Sequence, residues 1–124
     1  MPTLYFIAAG LCIALGLAHS ILGERYILIR LFRRPDLPKL FGGTEFTMRT
    51  LRFAWHLTSV MWIGAGAVFM LMARDRLSMA SVAGILAVVF LIHAGVTLFT
   101  SRGRHFAWPL FLIVGLIALY GSFS

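Results

Sequence analysis

The sequence is poor in charged residues and has almost no cysteine. Only 12% of its 124 residues are charged and only four are acidic, whereas a soluble domain carries about 25% charged residues. The single cysteine, Cys12, excludes an internal disulfide and a cysteine-based zinc framework. The sequence also lacks a G-x-S-x-G elbow and an H-E-x-x-H motif, and no apolar segment contains a pair of carboxylates. These absences exclude a soluble globular domain and disfavour the common hydrolases.

Long apolar stretches are what the chain has instead. Apolar residues make up 60% of it, and they concentrate in four stretches at about 2–22, 53–73, 79–100 and 106–123. Each stretch has about 18–22 residues, the length with which an α-helix crosses a hydrocarbon core of about 30 Å. None shows the apolar and polar alternation of a barrel strand. The sequence predicts an all-α integral membrane protein, a single domain over residues 1–124 whose four transmembrane helices form an up-down bundle.

The basic residues predict how this bundle is oriented. The connection at 23–52 and the short one holding Arg102 and Arg104 together carry nine basic residues, whereas the connection at 74–78 carries two. By the positive-inside rule, the first two face the cytoplasm and both termini face the opposite, outer side of the membrane. The first stretch is expected to be a retained helix, because no basic residues precede it as in a signal peptide. The net charge of +7 is therefore a topology signal, and no nucleic-acid partner is predicted.

The first connection has a pattern of its own. Apolar residues between Tyr26 and Phe32 interleave with arginines, which predicts an interfacial extension of the first helix with its arginines toward anionic lipid head groups. Pro35 and Pro38 end this extension. Thr44 is a plausible N-cap, so the second helix is expected to begin at Glu45 and to enter the membrane near Phe53.

Each of the four stretches carries or adjoins one histidine. In the predicted topology His19, His56, His93 and His105 all lie toward the cytoplasmic side, within about 10 Å of depth. Ionisable residues inside a membrane usually face the bundle interior and are functional candidates. Neutral imidazole is a ligand for haem iron and for zinc, copper or iron ions. The sequence therefore predicts a histidine layer that binds a ligand.

Haem b is the cofactor that this layer favours, because no cysteine or carboxylate lies close to the histidines within the helices. Diagonal helices in a square bundle are spaced suitably for two axial ligands, which makes His19 and His93 the first choice. His56 follows, as a ligand, a propionate partner or a ligand shared between subunits. For His105 an interfacial role is favoured over ligation. The predicted propionate partners are the arginines near the same side: Arg49, Arg52, Arg102 and Arg104.

Two other functions remain open from the residues alone. The same four histidines would serve a protein that binds or transports a divalent metal ion. In a structural accessory subunit they would only pack or donate hydrogen bonds between helices. Small residues spaced by four, at Gly10–Ala14–Ala18 and at Cys12–Gly16–Ser20, predict close helix contacts within the bundle or in a homodimer.

Two segments carry a resemblance to known proteins. The stretch Ala18–Arg25, AHSILGER, and the stretch Leu51–Thr58, LRFAWHLT, resemble those of a group of small uncharacterised bacterial inner-membrane proteins with four helices. The layout of helices with intramembrane histidines is also similar to the membrane domains of b-type cytochromes. This resemblance implies a haem b site, electron transfer and a redox partner protein. Many such cytochromes carry two histidines on one helix or haems on both sides, whereas here each histidine belongs to a different segment.

Overall fold

The computed structural model describes all 124 residues, and they form helices joined by short connections, with no strands. The all-α prediction is confirmed. Helix α1 spans Pro2–Gly23 and continues through a π-helical turn at Glu24–Leu28 into the short helix α2, Ile29–Leu31. The helical path therefore extends past the apolar stretch, as the interleaved pattern predicted. The remaining helices are α3 (Glu45–Ala73), α4 (Met79–Thr100) and α5 (Ala107–Gly121).

Three of the helical segments are long and apolar enough to cross a membrane. They are Pro2–Leu31, Glu45–Ala73 and Met79–Thr100. Helix α5 has only 15 residues, which corresponds to about 22 Å at 1.5 Å per residue. It is shorter than the predicted stretch 106–123 because Phe106, Ser122 and Phe123 lie outside the helix.

The outer surface of these helices is strongly apolar. Only 17 of the 124 residues are buried, and large side chains such as Leu11 and Ile117 are about two-thirds exposed. A water-soluble protein rarely exposes continuous apolar surface of this extent. Lipid tails solvate such side chains, so the surface suits a membrane protein.

The helices pack in chain order. Helix α1 packs on α3, α3 on α4, and α4 on α5, while α1 and α5 share no comparable interface. In a closed square bundle the first and last helices would be neighbours. The observed order is an open row, so the square geometry that paired His19 with His93 across a diagonal is not the geometry of this chain.

Glycines allow the close approach of α1 to α3. A Cβ added at Gly16 would lie 3.0 Å from the carbonyl oxygen of Ser59, and one added at Gly23 would lie 2.0 Å from Trp55 Nε1. Helices approach closely where small residues leave room for the partner. Of the two small-residue faces that the sequence contains, the one with Cys12, Gly16 and Ser20 is therefore the face that meets α3, whereas Gly10 faces open space.

A capping box starts α4. Ser78 Oγ accepts a hydrogen bond from the backbone N–H of Ser81, and Ser81 Oγ accepts one from the backbone N–H of Ser78. These bonds satisfy two backbone donors that the helix itself leaves free. These bonds fix the start of α4 at Met79, a few residues after α3 ends at Ala73. Because the connection is short, the two helices are antiparallel neighbours.

Candidate functional site

The four histidines lie toward the end of the bundle that holds the 24–44 and 101–106 connections. They do not converge on one point. His19 and His56 lie at the interface of α1 and α3, whereas His93 and His105 line a cavity formed by α3, α4 and the start of α5. Helix α3 thus separates two polar regions of different character.

The cavity that contains His93 and His105 lies on the α4 and α5 side of helix α3. It has a volume of about 460 Å³, within the range of about 300–1,000 Å³ that is usual for ligand pockets. Its walls are mostly aromatic and aliphatic, with two histidines and two threonines: Thr50, Phe53, Ala54, Leu57, Thr58, Met61, Phe90, His93, His105, Ala107 and Phe111. We call this space the histidine cavity.

His93 is held in one tautomer. Its Nδ1 lies 2.7 Å from the carbonyl oxygen of Val89, and the side chain is almost fully buried. Because a carbonyl only accepts hydrogen bonds, Nδ1 carries the proton and Nε2 has a free lone pair. Phe111 packs edge-on against the ring, with centroids 5.3 Å apart. An imidazole whose second nitrogen donates to a backbone carbonyl is the usual arrangement of a metal-ligating histidine.

His105 is held in the other tautomer, with its proton on Nε2. Its Nδ1 accepts a hydrogen bond from the backbone N–H of Ala107, at 3.2 Å. The neutral ring therefore carries its proton on Nε2 and offers a donor. Phe53 packs edge-on against this ring at 5.1 Å, and Phe46 lies alongside it. The two histidines of the cavity thus present one acceptor and one donor.

An unpaired hydroxyl also belongs to the cavity. Thr50 Oγ1 is buried and has no hydrogen-bond partner, although Thr50 lines the cavity. A buried polar atom without a partner costs about 1–3 kcal/mol. Thr58, on the same wall, instead donates to the carbonyl of Ala54.

The interface of α1 and α3 contains a continuous chain of polar side chains. His56 Nδ1 lies 2.9 Å from Ser20 Oγ and His56 Nε2 lies 3.0 Å from Glu24 Oε2. The hydroxyls of Ser20 and Ser59 are 2.7 Å apart, and Arg52 Nη2 lies 2.8 Å from Glu24 Oε1. Both ring nitrogens of His56 are therefore occupied, which leaves no lone pair for a metal. We call these five residues the α1–α3 polar chain.

The π-helical turn coincides with this chain. It begins at Glu24, the residue that contacts both Arg52 and His56. A π-helical turn is rare and widens the helix locally, and such turns occur frequently at functional sites. Here it lies directly after Gly23, where Trp55 crosses α1 and donates from Nε1 to the carbonyl of His19.

His19, predicted as a first-choice ligand, lies against aromatic rings. Its ring stacks on Trp55 with centroids 4.4 Å apart and nearly parallel planes, and Trp62 meets it edge-on at 4.8 Å. It does not line the histidine cavity. The structure therefore does not bring His19 and His93 together as the predicted axial pair.

The predicted propionate partners are also distributed over several places. Arg52 pairs with Glu24 and stacks on Phe32. Arg49 pairs with Glu45 and donates to the carbonyl of Thr100. Arg102 and Arg104 line a separate pocket together with Arg49. None of the four arginines lines the histidine cavity.

The connection after α2 contains an ion pair that involves none of the site residues. Arg34 Nε and Nη2 donate to the two oxygens of the Asp36 carboxylate, at 2.9 and 2.7 Å. This hydrogen bonding lowers the pKa of Asp36, so the carboxylate is ionised and occupied at neutral pH. Asp36 therefore does not neutralise the other arginines of the connections.

Sequence reasoning missed the α1–α3 polar chain and the role of Thr50. A signal for the chain was present, because Ser20 and Glu24 are four residues apart, as are Arg52 and His56, and such pairs share a helix face. The depth of the histidines predicts one layer, but it does not reveal that residues of the first helical segment occupy both ring nitrogens of His56. Nothing in the sequence distinguishes Thr50 from an ordinary helical threonine.

The chain matches no family model, no curated protein and no solved structure.

Proposed function

We propose that this chain is a multi-pass membrane protein that binds haem b in the histidine cavity, with His93 as the axial ligand. The observation that carries the proposal is the state of His93. Its Nδ1 is anchored to the carbonyl of Val89, which leaves the Nε2 lone pair for a metal, in a largely apolar cavity of about 460 Å³. Bound haem would supply one-electron chemistry or a site for a small gaseous ligand. Electron transfer with a redox partner, haem handling and sensing are all compatible with this site.

The donor set favours haem over a bare metal ion. A zinc site takes three or four protein ligands, and the structure has no group of three or more histidine, cysteine or acidic side chains that could hold a metal ion. Haem brings four nitrogens of its own, so one or two imidazoles suffice. The aromatic walls around His93 suit a flat apolar ring.

The other polar groups of the cavity have roles that follow from their hydrogen bonding. His105 lines the cavity and would offer a hydrogen-bond donor at Nε2 to a bound ligand, whereas His19 lies outside the cavity. Thr50, with its unpaired hydroxyl, suits a carboxylate or another polar edge of the ligand. No guanidinium reaches the cavity, so Arg49, Arg52, Arg102 and Arg104 are not part of this proposal.

The membrane placement belongs to the proposal as well. Nine basic residues in the two connections at the histidine end favour a cytoplasmic position for that end. Both termini are then periplasmic in a bacterial inner membrane, with α5 as the fourth crossing. Reporter fusions after residue 38 and at the C-terminus test this orientation, because the two positions must report opposite sides.

The absorption spectrum of the full chain tests haem binding. We expect protein purified in mild detergent after haem supplementation to show a Soret band, and His93→Gly to lose it. Added imidazole should restore the band in His93→Gly, which separates a lost ligand from a misfolded protein. His19→Ala is the matched control and should keep the band. Absence of a Soret band in the wild type, or a band unchanged in His93→Gly, would overturn the proposal.

A purely structural role, in which a histidine only packs or donates hydrogen bonds between helices, is favoured for His56 alone. His56 has a partner at each ring nitrogen, which is the arrangement of a histidine that joins two helices. Its replacement should therefore alter stability and leave the haem spectrum unchanged in shape.

A further inference from the structure

A second pocket, separate from the histidine cavity, lies between the two basic connections. Its volume is about 180 Å³, and its polar wall consists of Arg49, Arg102 and Arg104 with the carboxylate of Glu45. The residues 41–43 form the opposite wall. The fold therefore brings three arginines from two distant parts of the sequence to one small pocket.

The acidic residues of the chain neutralise only one of the three arginines of this pocket. Glu45 is paired with Arg49, Asp36 with Arg34, and Glu24 with Arg52. The fourth acid, Asp75, lies in the α3–α4 connection at the other end of the bundle. Arg102 and Arg104 therefore have no carboxylate within ion-pair distance.

The backbone around the pocket is tightly folded. Phe41 and Gly42 on one wall, and Arg102 and Gly103 on the other, have positive φ angles between 53° and 88°. The first turn is closed by the hydrogen bond from Leu40 N–H to the carbonyl of Gly43, at 2.8 Å. Left-handed backbone is uncommon for phenylalanine and arginine, so both turns are held by their surroundings rather than by residue preference.

Anchoring contacts also hold the guanidinium groups near the pocket. Arg49 donates to the carbonyl of Thr100 at 3.1 Å, which ties the start of α3 to the end of α4. The guanidinium of Arg104 lies 5.6 Å from the ring centre of Phe41. Arginine is well suited to phosphate because its planar fork donates two parallel hydrogen bonds.

An apolar surface adjoins the pocket on its outer side. Phe41, Gly103, Arg104 and Phe106 form this open recess, and the side chain of Phe106 is 90% exposed. Phe41 and Arg104 belong to both spaces, so a charged group in the pocket would continue directly onto apolar surface. That combination matches an anionic head group with attached acyl chains at a membrane interface.

We propose that Arg49, Arg102 and Arg104 form a binding site for a phosphate group, carried either by an anionic phospholipid or by free phosphate. This site is independent of haem binding, because it shares no residue with the histidine cavity. Arg102 and Arg104 carry positive charges that no carboxylate pairs with. Arg49 lines the same pocket from helix α3.

Thermal unfolding of the full chain in a neutral detergent tests the site. We expect the unfolding midpoint to rise on titration with phosphatidylglycerol and not with phosphatidylcholine. In the double variant Arg102→Gln/Arg104→Gln the apparent affinity should fall about 10- to 30-fold, because each interfacial arginine contributes about one kcal/mol to binding an anionic lipid surface. Inorganic phosphate forms a separate arm: a rise equal to that with phosphatidylglycerol assigns the site to free phosphate, and a rise with the lipid alone assigns it to the head group.

The matched control removes the same charge from the same side of the molecule. Arg33→Gln/Lys39→Gln changes two basic residues that line neither pocket and form no ion pair. It should retain the wild-type response. An equal loss of affinity in both double variants, or the absence of any anion-dependent rise in the wild type, would overturn the proposal.

Discussion

The two sides of helix α3 differ in how completely their polar groups are satisfied. On the α1 side, His56 contacts Ser20 and Glu24, and the Glu24 carboxylate also contacts Arg52. On the α4 and α5 side, His93 Nε2 keeps a free lone pair and Thr50 Oγ1 has no partner. The first side is complete without a ligand, whereas the second is not.

This difference separates stability from binding. Polar groups that satisfy one another between helices hold those helices together, and their removal leaves buried partners unpaired. Unsatisfied polar groups around a cavity destabilise the ligand-free protein, and a ligand can pair with them. We therefore expect substitutions on the α1 side to act mainly on stability and those on the cavity side to act mainly on haem binding.

The largest effect is expected at Gly23. In Gly23→Ala the new Cβ would lie 2.0 Å from Trp55 Nε1, so the indole must move and its hydrogen bond to the His19 carbonyl is lost. Overpacking costs about 1–3 kcal/mol and the hydrogen bond about 1 kcal/mol more. Unfolding in detergent measures this loss. Gly10→Ala, where the Cβ meets nothing within 4 Å, is the control, and equal stability of the two variants would contradict the close packing of α1 on α3.

Removal of the Glu24 carboxylate is expected to have the next largest effect. Glu24→Ala leaves both Arg52 and His56 without their acceptor. Because both side chains are partly exposed to solvent, we expect the free energy of unfolding to fall by about 1–2 kcal/mol. Glu45→Ala removes an exposed carboxylate paired with Arg49, and such pairs contribute about 0–1 kcal/mol. If both variants lose the same free energy, the α1–α3 polar chain does not stabilise the fold.

Exchange of the two histidines for leucine tests the comparison directly. His56→Leu should destabilise haem-free protein by about 1–2 kcal/mol, because Ser20 and Glu24 lose a partner. His93→Leu should cost less, since its ring bonds only to a backbone carbonyl that belongs to its own helix. The two variants should have the opposite order of effects on haem binding: His93→Leu should lose the Soret band, and His56→Leu should keep it. The same order in both measurements would mean that the two sides are equivalent.

The smallest effect on stability is expected at Thr50, where the direction of the change is more informative than its size. Thr50→Val removes a buried hydroxyl without a partner, so haem-free protein should become more stable by about 1 kcal/mol. Haem affinity, followed by spectroscopic titration, should fall. Thr58→Val on the same wall is the control, because that hydroxyl already donates to Ala54. A loss of stability in Thr50→Val would show that the hydroxyl has a partner within the protein.

Much of the fold follows from the pattern of residues. The apolar stretch at 79–100 coincides with α4, Met79–Thr100, and the interleaved arginines after Gly23 do continue the first helix to Leu31. Helix α3 begins at Glu45, where Thr44 and the acidic first turn predicted it. These features are local, because helix length and helix ends depend on residues close together in the chain.

The candidate site was predicted only as far as residue type and depth. One histidine per segment, all toward one end, could be read from the spacing. Which histidine faces which neighbour could not, since the square bundle assumed for His19 and His93 differs from the open row observed. Helix rotation about its axis decides that question, and for nearly uniformly apolar helices such as α4 the sequence marks no preferred face.

The sequence by itself determined that the chain is helical, strongly apolar and basic at one end, because composition and the length of apolar runs decide these properties. Only the tertiary structure decided that His56 is satisfied and His93 is not. That outcome depends on side chains far apart in the chain, Ser20 and Glu24 against His56 on one side of α3, and His93 beside Phe111 on the other. Hydrogen bonds form only where atoms lie within about 3 Å, so they distinguish histidines that the sequence presents as alike.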